Sequence, residues 1–159
     1  MCFAAVMRKI DVTAIGNAIV DVIAPTDDAF LTSESIKKGS MNLISSDRAA
    51  SLYKNMDSPV TACGGSAANT VVGLSSLGAR CAFIGKVRND EAGCAFQNNM
   101  DELNITFTTP HSAEGPETAK CLVFVTPDAQ RSMNTFLGAS IGLGPKDISP
   151  SEIQNSQLL

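Results

Sequence analysis

Short apolar segments alternate with helical segments along this chain of 159 residues, and this alternation constrains its fold most strongly. Ile10–Ile15 has the length and composition of a buried strand, which Gly16 and Asn17 end. A helix is predicted over about Ser66–Leu77, with Gly78 as the residue that ends it. A strand in RCAFIG and a helix in NDEAGCAFQNNMDEL repeat this order. The alternation predicts an α/β fold in which helices cover a parallel sheet.

Other segments predict a second, smaller sheet. Two strand-like segments, TAKCLVFVT and RSMNTFLG, flank the turn sequence PDAQ and predict a β-hairpin. Strands are also predicted at Ile19–Ala24 and Ser40–Ser45, and Ser46 is the predicted N-cap of the helix that follows. Because the hairpin and these strands do not fit the alternating order, they are assigned to a separate sheet.

Charge and cysteine content limit the classes of partner and compartment. A net charge of −4 and the absence of a basic run argue against nucleic acid or an anionic membrane as a partner. The apolar segment Cys2–Met7 follows no basic residue and is too short for a signal peptide, and Met7 is an alternative start. The five cysteines form no CxxC pair, so we expect a reduced, cytoplasmic protein without a metal site.

The stretch TACGGSAANTVVGLSSLG contains the first candidate binding residues, Gly64, Gly65 and Asn69. A glycine pair before a helix lets a ligand approach the backbone N–H groups of the first turn. The Asn69 amide, one turn into that helix, both donates and accepts, as do the hydroxyls of a polyol. The alternative interpretation is a tight turn with close helix–sheet packing and a solvated Asn69.

Asp21 is the second candidate, because it follows the first strand in the segment GNAIVD. Loops at the carboxyl ends of parallel strands form the usual ligand crevice of α/β sheets. A carboxylate there could hold a pair of sugar hydroxyls, or it could cap a turn. Neither GARCAFIGK nor GLGPKD has the spacing of a nucleotide-binding glycine motif.

Four segments together resemble the PfkB (ribokinase-like) sugar and nucleoside kinases, and within them the adenosine kinase branch. They are GNAIVD, GGSAANT, LGARCAFIGKVRNDEAG and VTPDAQRSMNTFLGAS, and the resemblance extends from about Val12 to Ser149. It implies a three-layer α/β/α fold with a small β-sheet lid over the sugar. Residues 1–159 would form the N-terminal portion of such a kinase domain, with lid strands at about 19–45 and 119–137.

The resemblance also implies roles for the candidate residues. Asp21, Gly64, Gly65 and Asn69 would hold ribose hydroxyls, with Asn17 beside them. Strand alternation places Met133, Thr135 and Leu137 on one face of the lid, and Cys121 could oppose them. That face could cover a purine base or pack as the core of the lid.

The chain departs from the family pattern in one respect. Kinases of this family are about twice as long, and a C-terminal GAGD motif carries their catalytic aspartate and most of the ATP site. No GAGD occurs among these 159 residues, so we expect the substrate-binding half of a kinase without a catalytic residue. The full-length enzyme would use ATP and Mg²⁺, at sites mostly outside this chain.

Two other functions stay open at the level of sequence. The chain could be a non-catalytic binding or dimerisation module, with a homodimer formed through the lid or an exposed sheet. It could also be the non-functional product of a truncated gene. In the kinase interpretation the partner is a small-molecule sugar or nucleoside, and the sequence does not choose between them.

Overall fold

A computed structural model describes residues 9–159 and contains two separate sheets. The first sheet has the strand order β5-β1-β8, and both of its pairings are parallel. Its strands are β1 (Ile10–Ile15), β5 (Cys81–Ile84) and β8 (Ser156–Leu158). The predicted strand at Ile10–Ile15 and the predicted α/β fold with a second sheet are confirmed, but among the described residues the second sheet, with five strands, is the larger one, not the smaller.

Two helices form the main core with the first sheet. They are α3 (Ser66–Ser76) and α4 (Glu91–Glu102). The core cluster includes Val71 of α3, Phe83 of β5 and Phe96 of α4, each fully buried. Gly78 follows α3 with a φ of +91°, the left-handed conformation that commonly ends a helix, as predicted.

The second sheet has five strands in the order β3-β7-β6-β2-β4. They are β2 (Ile19–Pro25), β3 (Met41–Leu43), β4 (Val60–Gly64), β6 (Ala119–Val125) and β7 (Arg131–Phe136). Strands β6 and β7 form the predicted hairpin, and β2 pairs parallel with β6 and antiparallel with β4.

One face of the second sheet packs on helices α1 (Asp28–Ser33) and α2 (Ser46–Lys54). Leu122 and Phe124 of β6 lie between the sheet and these helices with 0% and 1% of their surface exposed. The opposite face carries Asp21, because side chains alternate along a strand. Helices α1 and α2 therefore do not cover the face of the sheet that carries Asp21.

Several boundaries differ from the sequence prediction. Ser45, not Ser46, caps α2, because its hydroxyl accepts a hydrogen bond from the Arg48 N–H at 3.2 Å. Strand β4 and helix α1 were not predicted at all. The chain ends in helix α5 (Pro150–Gln154) and β8. None of the helices within residues 9–159 combines the length and apolar character of a membrane-spanning helix.

Candidate functional site

Asp21 lies on the uncovered face of the second sheet, near the junction with the first sheet. It is in register with Ala62 on β4 and with Cys121 on β6. Its side chain is half-buried, and this burial raises the pKa of its carboxyl group. No described residue within 9–159 donates a hydrogen bond to the carboxylate, so both oxygens are available to a ligand.

Because Gly64 has no side chain, the Asp21 carboxylate can occupy the space beside it. Ile19 of β2 is in register with Gly64 of β4, which places Gly64 close to Asp21. A Cβ built on Gly64 would lie 2.5 Å from Asp21 Oδ1, far inside van der Waals contact. A side chain at position 64 would therefore displace the carboxylate from its place on the sheet.

Gly65 turns the chain from β4 into α3 and brings it against the loop after β1. Its φ is +98°, a conformation that residues with a Cβ rarely adopt. A Cβ there would lie 2.5 Å from the Asn17 carbonyl oxygen. Gly65 is thus required both for its backbone conformation and for the close approach of Asn17.

Asn17 and Asn69 border the same junction from the two adjoining segments. Both residues are exposed, and the Asn69 N–H donates to the Gly65 carbonyl at 2.8 Å as part of the first turn of α3. Neither side-chain amide hydrogen-bonds another residue in the described range 9–159. The structure therefore brings Asn17, Gly64 and Gly65 together with Asp21, and places Asn69 one helical turn away.

Two of the weaker candidates, Cys121 and Thr135, lie in one row with Asp21 across the second sheet. Cys121 is in register with Asp21 and with Thr135, whose hydroxyl donates to Cys121 Sγ at 3.3 Å. Burial raises the pKa of the Cys121 thiol. Met133 lies on the same face two residues before Thr135. Leu137 does not share the strand, because β7 ends at Phe136 and Leu137 precedes a 3₁₀ helix.

The structure adds apolar residues to this face that sequence analysis missed. Met41, Leu43 and Val60 share the face of Asp21 and are 57%, 64% and 67% exposed. The strand predicted at Ser40–Ser45 contains β3, whereas β4 was not predicted. The face therefore combines one carboxylate near the junction with an exposed apolar strip farther out.

This arrangement suits a ligand with a polyol part and an apolar part. A carboxylate accepts hydrogen bonds from two adjacent hydroxyls, and bonds to a charged group contribute about 1.5–3 kcal/mol each. Side-chain amides at Asn17 and Asn69 offer both donors and acceptors. The apolar strip can cover a flat, weakly polar group attached to the polyol.

Comparison with known proteins identifies the family. The profile of the pfkB family carbohydrate kinases matches residues 9–159, nearly the whole chain. The chain belongs to this family. Among curated proteins, a probable fructokinase-4 from Arabidopsis thaliana is 31% identical to this chain over 106 residues. The match covers 62% of this chain and 31% of that protein.

Solved structures of two bacterial proteins are similar throughout the described chain. An adenosine kinase from Sinorhizobium meliloti is 48% identical with a TM-score of 0.89, covering 94% of this chain and 46% of that one. A probable sugar kinase from Rhizobium etli is 40% identical with a TM-score of 0.90, covering 95% and 46%. The pfkB-family chain thus has the ribokinase-like α/β fold and spans less than half the length of these relatives.

An adenosine kinase from Schistosoma mansoni, solved in complex with adenosine, is similar at the level of the fold. It is 24% identical with a TM-score of 0.80, covering 91% of this chain and 44% of that one. At this identity the comparison supports the architecture of the two sheets and does not transfer a ligand.

Proposed function

We propose that this chain binds the sugar part of the substrate in an ATP-dependent sugar or nucleoside kinase. The observation that carries the proposal is the half-buried Asp21 carboxylate, which accepts no hydrogen bond from the described residues. The absence of a side chain at Gly64 provides the space for this carboxylate. A buried carboxylate without partners is unfavourable unless a ligand supplies them. Two vicinal hydroxyls of a sugar supply two donors at the required spacing.

A nucleoside fits the site better than a free hexose. Met41 and Leu43 of the exposed strip, with Met133 beside Met41, lie on the Asp21 face, and a purine base attached to the sugar would cover them. The 48% identity to an adenosine kinase from Sinorhizobium meliloti points the same way. Adenosine is therefore the proposed substrate, and ribose and fructose are the competitors to be tested.

In the intact enzyme, the γ-phosphoryl group of ATP, bound with Mg²⁺, would pass to a primary hydroxyl of this substrate. Asp21, Gly64, Gly65, Asn17 and Asn69 would hold the acceptor so that this hydroxyl is correctly oriented, and orientation and charge stabilisation supply most of catalysis in phosphoryl transfer. The GAGD motif expected to carry the base does not occur in the 159 residues. We therefore expect the chain alone to transfer no phosphoryl group. We also propose a cytoplasmic location.

Calorimetric titration of the purified chain with adenosine, ribose and fructose tests the proposal. We expect adenosine to bind most tightly and Asp21→Asn to weaken its binding by about 1.5–3 kcal/mol, or roughly tenfold to a hundredfold. Asp101→Asn, which removes the same charge from the exposed side of α4, is the matched control and should bind adenosine like the wild type.

Two results would contradict the proposal. Equal affinity of the wild type and Asp21→Asn, with both folded by circular dichroism, would show that Asp21 is a residue of strand β2 with no part in binding. Absence of binding to all three compounds, together with concentration-dependent dimers, would favour the alternative of a non-catalytic dimerisation module.

A further inference from the structure

A cavity of about 520 Å³ lies between the start of helix α4 and the second sheet. Its volume is within the range of ordinary small-molecule sites. The residues that open α4 line one side of it, and residues of β2, β4 and β6 line the other. Tyr53 of α2 also lines it, with a side chain that is half exposed. The cavity is therefore bordered by both the main core and the second sheet.

This cavity is on the opposite side of the second sheet from Asp21. Val20 and Val22 line it, and they flank Asp21 in strand β2. Because side chains alternate along a strand, both valines point away from the Asp21 face. Thr61 of β4 is in register with Val22 and lines the cavity from the same side. The sheet itself would thus separate a ligand in the cavity from the candidate sugar site.

Three of the five charged residues that line the cavity are engaged within the protein. Asp90 Oδ1 accepts from the Gly93 N–H at 2.8 Å, and Asp90 Oδ2 accepts from the Thr118 N–H at 2.9 Å. Lys120 Nζ lies 3.2 Å from Glu117 Oε2, so these two charges pair with each other. We assign these three residues to the wall of the cavity and not to ligand binding.

The two remaining charged residues, Arg88 and Glu91, are of opposite sign. Arg88 Nη1 donates to the Gly115 carbonyl oxygen, but no residue within 9–159 accepts a hydrogen bond from its Nε or Nη2. The exposed Glu91 carboxylate accepts no hydrogen bond and forms no ion pair with the described residues, Arg88 included. The cavity therefore presents one available cation and one available anion beside the apolar side chains of Val20 and Val22.

We propose that this cavity binds a zwitterionic small molecule with a flat apolar body, of the class of the aromatic amino acids. The carboxylate of the ligand would accept two parallel bonds from the Arg88 guanidinium, and its ammonium group would donate to the Glu91 carboxylate. The body would lie against Val20, Val22 and the ring of Tyr53, since aromatic rings favour contact with one another.

The charges of the wall disfavour a polyanion such as a nucleotide. Asp90, Glu91 and Glu117 all line the cavity, and their carboxylates would repel a phosphate chain. A zwitterion brings no net charge and matches both available groups. This second site does not depend on the function proposed above, because it uses none of the residues on the Asp21 face.

Calorimetric titration of the purified chain with L-phenylalanine tests the chemistry of the ligand. The matched probes are 3-phenylpropionate, which lacks the ammonium group, and phenethylamine, which lacks the carboxylate. We expect phenylalanine to bind about tenfold more tightly than either probe, because each probe loses a bond to a charged group. Equal affinity for the three compounds, or no binding of phenylalanine at millimolar concentration, would overturn the inference.

Substitutions of the two charged residues test the site itself. Glu91→Gln and Arg88→Gln should each weaken phenylalanine binding about tenfold, and unchanged affinity in Glu91→Gln would reject the assignment. Glu102→Gln removes the same charge from the exposed last residue of α4 and should bind like the wild type. If Arg88→Gln does not fold, Arg88→Lys replaces it, because lysine keeps the charge but lacks the planar pair of donors, and a severalfold loss is then expected.

Nuclear magnetic resonance of the labelled chain locates the bound phenylalanine. We expect changes in the methyl signals of Val22, Ala92 and Ala95, which line the cavity, and none in the signal of Met133 on the other face of the sheet. Changes confined to the Asp21 face would show that the compound enters the candidate sugar site, and they would overturn the inference. Failure of adenosine to bind would reject the function proposed above and would leave these measurements unaffected.

Discussion

Asp21 illustrates how a proposed binding residue can lower the stability of the unbound protein. Burial raises the pKa of its carboxyl group, which means that the folded state disfavours the ionised form. Asp90, another partly buried carboxylate, does have donors: it accepts hydrogen bonds from the Thr118 and Gly93 N–H groups. The missing donors at Asp21 are those that the proposed substrate would bring.

We expect Asp21→Asn to be more stable than the wild type at neutral pH. A carboxyl group whose folded-state pKa is raised destabilises the fold above that pKa, and the penalty disappears as the pH falls below it. The difference between the variant and the wild type should therefore shrink on acidification. Urea unfolding at several pH values measures it, and a variant that is less stable than the wild type at pH 7 would contradict this account.

Two glycines, Gly65 at the site and Gly73 in the middle of α3, allow the effect of backbone strain to be compared with that of helix propensity. Gly65→Ala forces a Cβ against the Asn17 carbonyl at a φ of +98° and should destabilise the fold by about 1–3 kcal/mol. Gly73→Ala adds a Cβ in the middle of α3 with no atom within 4 Å, and should stabilise it by about 0.5–1 kcal/mol. Equal effects in chemical denaturation would show that Gly65 is not required by its conformation.

Asp90 connects an element of the main core to an element of the second sheet. Its Oδ1 accepts from the Gly93 N–H at 2.8 Å and caps α4, while its Oδ2 accepts from the Thr118 N–H at 2.9 Å, just before β6. Burial raises the pKa of this carboxyl group, but the hydrogen bonds of Thr118 and Gly93 outweigh that effect and leave the pKa lowered. The resulting stability is present above the unfolded-state pKa and is lost as the pH falls through the folded-state value.

We expect Asp90→Asn to cost about 1–3 kcal/mol, because the new NH₂ group meets the Thr118 N–H and leaves a buried donor unpaired. Asp27→Asn is the matched control. Asp27 caps α1 through one exposed bond to the Phe30 N–H, and asparagine caps a helix about as well as aspartate. Thermal unfolding of both variants at neutral pH compares them, and similar losses would contradict the connecting role of Asp90.

Sequence patterns predicted the long elements and the short strand β3, and missed β4 and α1. The strand Ile10–Ile15 and the helix after Gly65 have clear periodicity and end at glycines. Strand β4 was missed because Val60–Ala62 is exposed and two glycines follow, which indicates a turn as readily as a strand. The contact of Gly64 with Asp21 depends on the register between β4 and β2, which a local pattern does not contain.

At the scale of the whole molecule, we expect the exposed strip on the second sheet to promote self-association. Met41, Leu43 and Val60 lie on one face and would be covered by a substrate or by a second copy of the chain. We expect Leu43→Lys to shift the sedimentation profile of the concentrated chain towards the monomer. Leu77→Lys, at the 85% exposed end residue of α3, is the control and should not change it. A wild type that is monomeric at all concentrations would contradict this expectation.

Both sheets join strands that are far apart in the chain, and this governs the order of folding. Strand β1 pairs with β5 about 70 residues later and with β8 at the end of the chain, where Ile10 is in register with Ser156. Strand β2 pairs with β6 a hundred residues later, where Ile19 is in register with Ala119. Closing such loops is entropically costly, so high contact order predicts slow folding. During synthesis, one edge of β2 can pair early with β4, but its other edge stays unpaired until β6 emerges. One edge of β1 likewise stays unpaired until β8 emerges, so these two edges are exposed to association longest.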